Sequence, residues 1–254
     1  MFDQHYPPLL IAYLVGLGGW LVANRLVPQV WPCEPGEELP RGWKEFGIAL
    51  LGAAGILVMG QLWTRGIRLP EQGTLGPVLA AINQLLIFTP ILLVVIVRRQ
   101  SWDTAWLPRR RILTRLLVGL GLASLAVTAY SLLRAGSDEP WVLLGRIWRY
   151  EHLDEMTQVF LEDLTIAVLF VRLAAAVGSR WATVVVACLF AVGHVPAMLS
   201  QGGATWSELG ALLLDAGLGV AVILVLQRSR DVVWFWCLHF CLDMTQFARI
   251  SGAG

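Results

Sequence analysis

Eight runs of mostly apolar residues, each about the length of a membrane crossing, leave this chain few ways to fold. They cover residues 8–27, 46–63, 76–97, 112–133, 158–177, 181–199, 208–227 and 232–250. A crossing takes roughly 20 apolar residues. Inside hydrocarbon each backbone N–H and C=O must find its partner within the protein, which for isolated apolar runs means helices. The expected fold is all-α: a polytopic membrane helix bundle of about eight transmembrane helices, forming one integral membrane domain over residues 1–254. Composition agrees. Charged residues make up 15% and hydrophobic residues 57%, where a soluble domain carries about 25% charged. The net charge of +1 gives no footprint for nucleic acid, so the bilayer is the expected partner. Residues 1–6 hold no Lys or Arg, so the first run is read as a mature helix rather than a leader.

The links set the orientation. Residues 98–111 carry Arg98, Arg99, Arg109, Arg110 and Arg111, and Arg115 follows at the start of the fourth run. Basic residues collect on the cytoplasmic side. With that link inside, 13 of the 19 Lys and Arg face the cytoplasm, counting Arg172 and Arg180 but not Arg65, Arg68, Arg134, Arg146, Arg149 and Arg249. Both termini then face outward. Pro90 marks a kink in the third run. Residues 141–150 read as an interfacial helix anchored by Trp141, Leu143, Ile147 and Trp148. Cys33, Cys188, Cys237 and Cys241 read as small buried hydrophobes. Trp234 and Trp236 read as interfacial belt and packing residues.

The informative residues are the ionisable groups inside the late runs. Each costs roughly 2.5–3.5 kcal/mol at a membrane helix centre on insertion scales. Glu162 and Asp163 stand in the fifth run, His194 in the sixth, Asp215 in the seventh, and His239 and Asp243 in the eighth. At 1.5 Å per residue they share one layer, roughly 7–17 Å below the outer surface. Structural readings exist for each. Glu162 and Asp163 can cap a helix that starts late. His194 can bond the Val192 carbonyl that Pro196 leaves without a donor. His239 and Asp243, at i and i+4, can form a structural pair. Glu, His, His and Asp are also zinc-ligand types, which makes zinc the alternative to a site without cofactor.

Three motifs within residues 155–250 resemble the CAAX prenyl protease and bacteriocin-processing family of intramembrane peptidases, also described as lysostaphin-resistance-protein-A-like. The family pattern is Glu-Glu-x-x-x-Arg, then Phe-x-x-x-His on the next helix, then His-x-x-x-Asn/Asp two helices later. Phe190 with His194 fits the second motif and His239 with Asp243 the third. The first reads Glu162-Asp163-Leu164-Thr165-Ile166-Ala167, with aspartate for the second acid and Ala167 in place of the arginine. Arg172 stands about 15 Å further along the helix.

The resemblance implies a four-helix peptidase core over 155–250, in a bacterial inner-membrane protein acting on a peptide or membrane-protein substrate without a cofactor. It implies Glu162 as general base with His194 holding the water, and His239 and Asp243 at the oxyanion. Asp243 is then either protonated or hydrogen-bonded to His239. Asp163 has a supporting role, and Phe190 and Asp215 lie beside the site. The missing arginine keeps a membrane scaffold or peptide-binding role in play, and the buried carboxylates a solute or proton transporter.

Overall fold

A computed structural model describes residues 6–31, 39, 42–134, 138–193, 195 and 206–247. Among these residues the regular structure is all helical. In chain order the helices are α1 (Tyr6–Leu26), α2 (Trp43–Thr64), α3 (Gly76–Val97), α4 (Ile112–Leu133), α5 (Pro140–Ile147), α6 (Leu153–Val177), α7 (Ser179–Gly193), α8 (Trp206–Ser229) and α9 (Val232–Phe247). Among the described residues five helices can cross a membrane by length and composition: α1, α2, α3, α4 and, within α8, Leu212–Ser229. α7 and α9 are apolar but shorter, and α6 opens with Asp154 and Glu155. The outer faces carry large exposed side chains such as Leu51, Leu132 and Leu213, each at least 75% exposed. Such a surface suits hydrocarbon, where apolar contact costs nothing.

Local chemistry sets the helix ends. Pro77 and Pro140 sit in the first turns of α3 and α5, where a missing N–H removes no helical bond. α6 ends at Gly178, whose φ of 84° a side chain would resist. Asp231 caps α9, its Oδ1 accepting from Val233 N at 2.9 Å. The amphipathic α5 buries Leu143 and Ile147 and exposes Trp141.

α6 occupies the centre, touching α2, α3, α7 and α9, while α4 packs most extensively on α9 and also on α1. Small residues bring these backbones together, as in membrane helix pairs generally. A Cβ on Gly119 would lie 2.7 Å from both the Cα and the carbonyl oxygen of Trp234, and one on Gly55 would lie 2.8 Å from Pro90 Cβ. Two sequence expectations change here. Trp234 is fully buried and stacks on Trp20 with ring centroids 5.4 Å apart, because the glycine draws it into the α4–α9 seam and away from the interface. Cys188 is exposed, on the face of α7 turned from the core, whereas Cys237 and Cys241 are buried. Cys33 lies outside the described residues.

Candidate functional site

Successive residues of a helix point about 100° apart, and Glu162 and Asp163 make their hydrogen bonds to different partners. Asp163 is fully buried and turns toward α9, where its Oδ1 lies 2.9 Å from His239 Nδ1. Glu162 is half-buried, and its Oε1 accepts from Gln158 Nε2 at 2.9 Å, one turn earlier on α6. His239 is held between aromatic neighbours, with the rings of Phe235 and Tyr13 centred 5.4 and 6.4 Å away.

An imidazole whose Nδ1–H donates to a carboxylate presents Nε2 to whatever faces its other edge. That second partner fixes both the tautomer and the ring orientation. The other oxygen of Asp163, Oδ2, is buried and has no hydrogen-bond partner among the described residues. Leaving an acceptor unpaired in a low-dielectric interior is costly. Among the described residues the pair is therefore only half satisfied.

The surrounding charge is negative. Glu162 and Asp243 act electrostatically on His239 together with Asp163. Glu162, Asp163, Asp215 and Asp243 all act on Tyr13. Four of the carboxylates singled out in the sequence thus gather around one Tyr–His contact, contributed by α6, α8 and α9. The acid that hydrogen-bonds His239 is Asp163, however, and not Asp243. The i, i+4 spacing places Asp243 on the His239 side of α9, but Asp163 approaches from the facing helix, where a carboxylate reaches the ring edge directly. His194 lies outside the described residues. Phe190 is half-buried on α7 and packs against the core, and Asp215 is half-buried on α8.

Ala167 is completely buried, one turn beyond Asp163 on the same face of α6. Arg172 serves a different place. It is also fully buried, but it donates to the carbonyls of Val168 and Thr104 at 3.0 and 3.3 Å and to Gln100. Gln100 in turn donates to Glu45 at 2.9 Å, and Arg98 also binds Glu45. This network ties α2 and α6 to the link between α3 and α4. In the acidic layer the hydrogen-bond partner of Asp163 is a histidine.

Two participants were not among the residues singled out in the sequence. Tyr13 carries the phenol buried against His239. Its only sequence signal is a hydroxyl set deep in the apolar α1. Asp231 anchors a second buried acid centre at the junction of α8 and α9. Its Oδ2 accepts from the Trp31 indole at 2.7 Å and from Arg115 Nη1 at 3.0 Å, while Oδ1 accepts from Val233 N. Burial pushes the Asp231 carboxyl above its ordinary range, against the pull of Arg115, the indole and the backbone N–H.

A metal would need more than the Asp163–His239 pair. Among the described residues no three His, Cys, Asp or Glu side chains gather closely enough to hold an ion. The chain matches no model of a known family, no curated protein and no solved structure.

Proposed function

We propose that this chain is an intramembrane peptidase that hydrolyses a peptide or a membrane-protein segment. The observation that carries this reading is the buried Asp163–His239 hydrogen bond where α6 meets α9, with Glu162 and Asp243 close enough to act on the same imidazole. Acid–imidazole pairs recur where a histidine must keep one orientation while its free nitrogen does chemistry. In this proposal α6, α7 and α9 complete an eight-span bundle of a bacterial inner membrane with both termini outside the cytoplasm. The motif resemblance of residues 155–250 supports the assignment of roles.

In the proposed reaction Glu162 takes a proton from water as its oxygen attacks the scissile carbonyl carbon. His239, as the imidazolium balanced by Asp163, donates its Nε2–H to the oxyanion. Asp243 in its neutral form donates a second hydrogen bond. As the C–N bond breaks, the proton held by Glu162 passes to the leaving amine. No cofactor enters. The test is cleavage of a peptide library by the reconstituted protein. Glu162→Gln is expected to lower the rate by about 100-fold or more while leaving the melting temperature near wild type. Equal rates for the two proteins would overturn this mechanism.

One observation favours a second reading, a membrane scaffold or peptide-binding protein without activity. Ala167 stands in a filled core position where the peptidase pattern has a cation. Substituting arginine there would overpack the core, by about 1–3 kcal/mol, and so would not separate the two readings. Peptide binding that is unchanged in Glu162→Gln, with no cleavage by any variant, would favour the scaffold.

A further inference from the structure

A cavity lies beside the acidic layer, outside the Asp163–His239 pair. It measures about 430 Å³, within the roughly 300–1,000 Å³ of small-molecule sites. Its walls come from four elements. Trp102 and Leu107 belong to the α3–α4 link, Leu116 to α4, Phe160 to α6 and Trp236 to α9, with Arg109 the one charged residue in the lining. Phe160 stands 12 residues before Arg172, about 18 Å along the helix, and Arg172 hydrogen-bonds Thr104 of the link. The cavity is an apolar crevice between the link and α4, α6 and α9. It is lined by the link at Trp102, Leu107 and Arg109, and by Phe160 and Trp236, which stand three residues before Asp163 and His239 on α6 and α9.

Its mouth is cationic. Residues 98–111 hold five arginines against one acid, Asp103. Arg109, Arg110 and Arg111 are exposed. Arg109 donates to Ser101 Oγ at 2.8 Å, and that hydroxyl donates to Asp103 at 2.7 Å. Arg111 is turned to the Gln29 carbonyl, and Arg110 makes no ion pair with a described residue. An apolar cavity with Arg109 in its lining and the exposed Arg110 beside it, where α4 begins, suits an acyl chain carrying a net negative headgroup. We propose that this crevice is a binding site for an anionic phospholipid, with one acyl chain between α4, α6 and α9 and the phosphate on Arg109 and Arg110. Basic pockets between membrane helices hold anionic headgroups in this way, and the arginine stems can lie along apolar surface while their heads stay wet. The proposal is independent of peptide cleavage.

The experiment uses the full chain in detergent with two photoreactive lipids, a phosphatidylglycerol and a phosphatidylcholine carrying the same diazirine acyl chain. Crosslinked residues are mapped by mass spectrometry. The expected result is labelling at Leu116, Phe160 or Trp236, stronger for phosphatidylglycerol by about five-fold or more. In Arg109→Gln/Arg110→Gln that preference should disappear while crevice labelling by either lipid persists. Leu116→Trp, which fills the slot, should remove crevice labelling by both lipids. The surface double variant decides the matter alone if Leu116→Trp does not fold. Equal labelling by the two lipids in the wild type would overturn the proposal, as would labels confined to the outward residues Leu113 and Leu117. Crevice labelling that only a hydrophobic peptide displaces would assign the slot to peptide instead.

Discussion

Asp163 and Asp231 are both fully buried carboxylates on or beside α9, and they are built in opposite ways. Asp231 has both oxygens engaged by an arginine, an indole and a backbone N–H. Asp163 has one oxygen on a histidine and the other without a partner among the described residues. Asp231 sits at a helix start, joining the α8–α9 junction to α4 and to the segment after α1. Asp163 sits ten residues into α6. A saturated acid centre fixes helices. Asp163 Oδ2 has no partner among the described residues, and under the proposed function it would be open to the reacting molecule.

Removing one partner from a buried ion pair typically costs about 3–5 kcal/mol. Asp231→Ala strands Arg115 in the core and should show the largest loss of stability, read as melting temperature in detergent. Asp163→Asn should lose less. Asn keeps the shape and an acceptor for the Nδ1–H while losing the charge opposite His239, so stability should fall by about 1–3 kcal/mol, less than in Asp231→Ala. Peptide cleavage should nevertheless fall by about 100-fold. Its pH–rate profile should also move, because His239 loses the carboxylate that balances its charge, and a purely structural residue would leave that profile in place. If both variants melt alike, the distinction between the two centres fails.

Two smaller effects sharpen the contrast. Gly119→Ala would press a methyl against the Trp234 backbone, where nothing flexible can yield. A loss of about 1–3 kcal/mol is expected, and a neutral melt would show that the α4–α9 seam is looser than described. Arg146→Gln breaks the exposed pair with Asp138 and should cost less than about 1 kcal/mol.

The helical runs were legible because their signal is local: an apolar stretch long enough to cross a bilayer has one backbone solution. The third and fourth runs match α3 and α4 end to end, and α5 begins one residue before the anticipated interfacial segment. The sixth run is described as α7 as far as Gly193, and His194 and residues 196–199 of the anticipated span lie outside the described residues. Partner choice was less legible because it depends on how helices rotate against one another. The sequence offered Asp243 to His239 by i, i+4 spacing, but the facing helix supplied Asp163. Arg115 was visible as a charge near a helix start, yet Asp231 lay 116 residues away and carried no motif. Tyr13 reached the site from α1, whose pattern is otherwise that of a plain membrane helix.

The most direct test of the central claim is mass spectrometry of peptides incubated with the reconstituted protein in heavy-oxygen water. The account predicts new carboxyl termini carrying one heavy oxygen, produced by the wild type and lost in Glu162→Gln and Asp163→Asn. Unlabelled peptides throughout, or labelled products formed equally by all three proteins, would contradict it.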